Sequence, residues 1–281
     1  MTVFLAFILG VAALFGNQQQ NQHLRSIQAN HEDLYFGQPT EMKGVSIGKK
    51  KFDFSFSPEN RVEVLNILEL AVREVMAPLL GERESVCLTC YINGMNVVAA
   101  EFDEMIHRIH AHIKGKAPLI GLYNATRGFA KDVQRVILEK KGCVTVSMVS
   151  LQNFLGATFE YFSRLHPRFL ILMLAHSEGG LLLDRAIEGL GEWGKEMAKK
   201  HLIIRTFGSI HALTNDRGKD VLNVYSDNDR AAFSFVKEKF HLPNHPFHFY
   251  PAFGMHGNND HSFLGPTYQH AVAEQIDLVF Q

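Results

Sequence analysis

The sequence predicts an α/β fold, a mostly parallel central sheet with helices on both faces. Three observations predict it. Short apolar runs alternate with amphipathic helical stretches along most of the chain. The polar clusters fall where those runs end, after Ile92, Tyr123, Leu174, Phe207, Tyr225 and Phe253, and in a parallel sheet the carboxyl ends of the strands hold the ligand crevice. Finally, the stretch Phe169 to Leu183, FLILMLAHSEGGLLL, passes from a buried strand pattern into a helix pattern through one tight turn.

Composition narrows the field. A chain of 281 residues suits one large α/β domain and can bury a sizeable core without disulfides or metals. The formal net charge is −1, which gives no electrostatic case for nucleic acid as a partner. There are three cysteines. Cys87 and Cys90 form a CxxC inside an apolar, strand-like run with no second CxxC, so they read as core thiols rather than a zinc site.

The chain divides into residues 1–41, a hydrophobic segment with a polar tether, and residues 42–281, the α/β domain. Thr2 to Phe15 is almost wholly apolar. It is short for a membrane span and lacks the basic start of a signal peptide. Three readings stay open: an export or membrane-associating segment, the trimmed end of a longer hydrophobic region, or a helix packed on the domain. The first two together suggest a membrane-associated or exported protein, with a cytoplasmic one as the alternative. Gly16 to Asn30 is a glutamine- and asparagine-rich tether.

Within the domain, Met42 to Phe56 alternates around a Gly-Lys turn and predicts an antiparallel hairpin. Ser57-Pro58-Glu59 predicts a helix start, with serine as cap and proline at the first position, running toward Leu80. Strands are expected at Glu84–Ile92, Pro118–Tyr123, from Phe169, at His201–Phe207, Val221–Tyr225 and Phe247–Phe253. Helices are expected at Val97–Ile113, Phe129–Lys140, Ser150–Leu165, Leu181–Lys200, Ala231–Phe240 and Thr267–Phe280.

The turn Ala175-His176-Ser177-Glu178-Gly179 carries the chemistry. A serine between strand and helix, with small residues two before and two after, has the layout of a nucleophile elbow. The turn is so tight that larger flanking residues would collide with the adjoining elements. Ala175 stands where glycine is usual, and it is still small. A serine hydroxyl needs a base to take its proton, usually a histidine held by a carboxylate. Downstream strand ends offer both: Ser226-Asp227-Asn228-Asp229 after Tyr225, and the stretch with His256, Asp260 and His261 after Phe253.

From about Met42 to Gln281 this pattern resembles the α/β-hydrolase superfamily, whose members carry Ser, then an acid, then His in chain order. The resemblance implies a lipase- or esterase-like serine hydrolase with Ser177 as nucleophile, Asp229 as acid with Asp227 in reserve, and His261 as base with His256 as the alternative. It implies an oxyanion hole from the amides of Glu178 and, in the Asn93-Gly94-Met95-Asn96 loop, Met95. Asn93 departs from the histidine common there. The phrases YINGMN, YNATRG and DHSF are also similar to an uncharacterised hydrolase-like family of chlamydiae.

The expected activity is cleavage of an ester-type bond, lipid or acyl ester favoured, through an acyl-enzyme and without metal or cofactor. The short Phe207–Val221 segment leaves no room for a cap there and predicts an open cleft. Met95, Phe129, Phe207, Ile210 and Phe253 are expected to make that cleft apolar. The rival is a hydrolase-fold binding protein without turnover. His107, His110 and His112 on one helix, and His241, His245 and His248 near the last strand, have metal-like spacing, but a solvated helix face explains the first set more simply, and the second straddles a Pro-broken loop with no carboxylate beside it. Arg127 could meet an anionic substrate group; a solvated surface arginine is the simpler reading.

Overall fold

The computed structural model describes the backbone of residues 43–47 and 50–55, and residues 86–114, 116–252 and 260–280 in full. The hydrophobic N-terminal segment, its tether, the predicted Ser57–Leu80 helix and His256 lie outside the described residues.

Eight strands form one sheet in the order β2-β1-β4-β3-β5-β6-β7-β8. Strands β1 (Lys43–Ile47) and β2 (Lys50–Ser55) make the predicted antiparallel hairpin, and β1 pairs antiparallel with β4 (Leu119–Leu122). From β4 onward the sheet is parallel through β3 (Val86–Ile92), β5 (Phe169–His176), β6 (Leu202–Phe207), β7 (Asp220–Ser226) and β8 (Phe247–Tyr250). β5 sits near the middle, and its alternate residues feed two cores. Ile171, Met173 and Ala175 pack into one layer, and Leu172 and Leu174 into the other. This two-sided burial is why the strand reads as an unbroken apolar run.

Helices cover both faces. α3 (Val146–Leu165), α4 (Glu178–Glu188) and α5 (Glu192–His201) enclose the first core. α1 (Ala99–Ile113) and α7 (Pro266–Val279) enclose the second, with Phe102, Ile106, Ile109, Tyr268 and Val272 buried. Cys90 lies buried in the first core and Cys87 packs at the edge of the second, both as free thiols. Burial pushes the Cys87 thiol up to about 12. Among the described residues no helix is long and apolar enough to cross a membrane.

Several element boundaries differ from the sequence expectation, each for a local reason. The single helix expected over Leu181–Lys200 is two helices. Gly189 caps α4 and Gly191 opens α5, and the turn between them lets Leu190 drop into the core at 6% exposure. α3 begins four residues early because the Thr145 side chain accepts the Met148 amide at 3.3 Å. α6 (Arg230–Val236) ends short of Phe240 and tightens into a 3-10 turn at Lys237–Lys239. β8 stops at Tyr250 rather than Phe253, since Pro251 has no N–H for the ladder. α2 (Phe129–Lys140) has the predicted bounds.

Candidate active site

The elbow forms where β5 runs into α4. Ser177 takes φ 53° and ψ −119°, one of three non-glycine residues with positive φ among those described. That geometry costs about 1–3 kcal/mol and persists only where the surroundings enforce it. The enforcement is visible: the Ser177 amide donates to the Phe207 carbonyl at 3.1 Å, and its own carbonyl accepts from Gly180 at 3.2 Å. The small flanking residues are steric requirements. A Cβ on Gly179 would lie 2.8 Å from the Ile92 carbonyl oxygen, and Ala175 is fully buried in β5 between Ile92 and Thr206. Ser177 opens α4, so the first free amides of that helix face the serine end.

Three side chains far apart in sequence meet here. His261 Nε2 lies 2.9 Å from Ser177 Oγ. His261 Nδ1 lies 2.9 and 3.0 Å from the two carboxylate oxygens of Asp229. A carboxylate only accepts, so Nδ1 carries the proton and Nε2 turns its lone pair to the serine hydroxyl. Asp229 is fully buried and also caps α6, accepting the Ala232 amide at 2.9 Å. Asp227 points elsewhere, accepting the Ala252 amide at 2.9 Å, so of the two acids only Asp229 reaches His261.

The turn Asn93 to Asn96, expected to supply an oxyanion donor, lies against the elbow. A Cβ on Gly94 would come within 2.6 Å of Ser177 Cβ, so only glycine fits. Met95 follows it and packs beside Val136, Leu181 and Ile210. Asn93, in the place of the usual histidine, holds the turn. Its amide nitrogen donates to the carbonyls of Gly94 and Asn124 at 2.8 and 2.9 Å, and its oxygen accepts the Asn124 amide at 2.8 Å.

Sequence reasoning missed a buried polar network behind the elbow. Glu178 receives both forks of Arg135 at 2.7 and 2.8 Å, and the Asn124 side chain at 2.9 Å. Arg135 also faces Asp132 at 3.7 Å, and Asp132 accepts the Asn96 amide at 2.9 Å and the Arg127 amide at 3.0 Å. The elbow and the turn are thus cross-braced through one arginine. Burial opposes the Arg135 charge, but Glu178 beside it raises its affinity for the proton overall. Burial and then Glu178 push the neighbouring Glu139 well above the usual carboxylate range.

His176 and Tyr268 were missed too. His176 Nε2 lies 2.9 Å from the His261 carbonyl oxygen, which can only accept, so Nε2–H donates. Burial, then the nearby His261, press its pKa down to about 3. The Tyr268 hydroxyl donates to Asp229 Oδ2 at 2.5 Å. Neither residue carries a motif; their roles come from contacts across 85 and 39 residues of chain.

Of the residues expected to make the cleft apolar, Phe207 is fully buried against Phe263 and Tyr268, and Ile210 is 1% exposed. Met95 and Phe129 are half-buried, and Phe253 lies outside the described residues. The β6–β7 connection is short, as expected, with one 3-10 turn at Asn215–Arg217. Among the described residues no group of three His, Cys, Asp or Glu is placed to hold a metal ion.

The parallel sheet with its antiparallel hairpin at one edge, and the elbow at the carboxyl end of β5, define an α/β-hydrolase-like fold. No family model matches the sequence, and no curated protein matches it. Among solved structures the chain is similar to dienelactone hydrolase from Anabaena variabilis, at 12% identity and a TM-score of 0.43, over 70% of this chain and 87% of that one. It is similar to the Trichoderma reesei cutinase at 12% identity and a TM-score of 0.41, over 79% and 89%. It is similar to Est1E from Butyrivibrio proteoclasticus at 12% identity and a TM-score of 0.40, over 70% and 88%. Nothing in these comparisons supports the likeness to a chlamydial family.

Proposed function

We propose that this protein is a serine hydrolase that cleaves an ester-type bond through a Ser177–His261–Asp229 triad. The observation that carries the reading is the unbroken relay from the Ser177 hydroxyl through both nitrogens of His261 to Asp229. In this mechanism Ser177 Oγ attacks the carbonyl carbon while His261 Nε2 takes its proton. Asp229 holds the tautomer and balances the imidazolium charge. The amides of Glu178 and Met95 receive the developing oxyanion. His261 then protonates the leaving alcohol, and water clears the acyl-enzyme by the same path in reverse.

A fluorophosphonate probe tests the reading. The expected result is covalent labelling at Ser177 that Ser177→Ala abolishes. Absence of labelling in folded protein overturns it and favours the binding-protein alternative. An acyl ester, including a lipid ester, is the substrate class we favour, because the short β6–β7 connection holds no cap and residues 2–15 suit a lipid surface. A panel of p-nitrophenyl esters of increasing acyl length reads the first point. Co-sedimentation with vesicles, with and without residues 2–15, reads the second.

A further inference from the structure

Asp229 has more partners than holding an imidazole requires. Oδ1 accepts the Ala232 amide at 2.9 Å, and Oδ2 accepts the Tyr268 hydroxyl at 2.5 Å. Tyr268 is fully buried at the start of α7, where its ring meets Phe207 and His176 edge-on. Its oxygen also accepts the Ser226 amide at 3.3 Å, from the last residue of β7. The hydroxyl is therefore fixed by the end of β7 on one side and aimed at the carboxylate on the other. Burial, then Asp229, push it well above the usual phenol range, so it remains a donor at any working pH.

We infer that Tyr268 is a positioning residue for the triad: its hydroxyl holds the Asp229 carboxylate in register with His261 and takes up part of the carboxylate's charge. This rests on the proposed triad. A hydrogen bond to an ionised group shares that group's charge, leaving less of it to hold a proton on the neighbouring imidazole. A core tyrosine kept only for its ring would have no such effect.

The test is Tyr268→Phe, which keeps the ring and removes one oxygen. The expected result is a fall in kcat of roughly tenfold with KM nearly unchanged, and an acid limb of kcat/KM moved to higher pH by on the order of half a unit. The proton NMR signal of the His261 Nδ1–H, bridging to Asp229, is expected to shift in the variant. An unchanged acid limb and an unchanged bridging-proton signal in folded Tyr268→Phe would overturn the inference. Should wild-type protein hydrolyse no ester and resist the fluorophosphonate, the triad reading itself falls; the bridging-proton comparison still reports whether Tyr268 acts on Asp229.

Discussion

At Ser177 the backbone takes a conformation that an isolated L-residue avoids, and the residues around it show what holds it there. Gly94 is the closest of these. Replacing it with alanine puts a methyl group 2.6 Å from Ser177 Cβ and 3.1 Å from Ser177 Oγ. The expected outcome for Gly94→Ala is at least about a hundredfold slower probe labelling, because misplacing reacting atoms by an ångström costs on that order. Stopped-flow or gel-based labelling rates measure it. At this scale the sequence was legible as to region: Ser177 in its tight turn, an acid among Asp227 and Asp229, a base among His256 and His261, with the choice within each pair left to geometry. It was not legible where a residue acts only on another side chain. Tyr268 and His176 look in sequence like a helix aromatic and a turn residue, and their importance exists only once the strands have brought them to Asp229 and His261.

At the scale of elements, the brace between α2 and the elbow is the feature with the most at stake. Arg135 is the charge that compensates both Glu178 and Asp132, each almost fully buried. Removing one partner of such a cluster leaves an uncompensated buried charge, which costs about 3–5 kcal/mol. Arg135→Met is therefore expected to lower the urea midpoint markedly, with an unchanged slope if unfolding stays two-state. The strands and most helices were readable because their apolar periods are clean. The split between α4 and α5 was not. The stretch keeps a helical period through Gly189-Leu190-Gly191, and only packing reveals that Leu190 leaves the helix surface for the core.

At the scale of the whole molecule, the buried titratable groups set an acid sensitivity. His176 has a pKa of about 3 in the fold against an ordinary 6.5. Between those values the unfolded chain binds a proton that the native state refuses. Stability contributed by burying neutral His176 is intact above pH 6.5 and declines as pH falls toward 3, by up to about 1.4 kcal/mol per unit. His211, also lowered chiefly by burial, acts with the same sign. Glu139 acts with the opposite sign, since its folded form keeps a proton that the unfolded form releases above about 4.5. The groups oppose each other between 4.5 and 6.5, so the steepest loss is expected below 4.5. Urea midpoints from pH 7 to 3.5 check this, and His176→Gln, which keeps an amide donor for the His261 carbonyl, is expected to flatten the acid side. That the sheet is mostly parallel was legible from strand alternation alone. The partner of each strand was not, because β3 lies between β4 and β5 only after two crossovers that leave no mark on the sequence.

Ser177 and His261 stand 84 residues apart, and Asp229 and His261 stand 32 apart. No fragment shorter than residues 177–261 contains all three. Chemistry at the serine is thus an integrity gauge for that half of the domain, and its loss on heating should track the far-ultraviolet melting curve rather than precede it as a separate step.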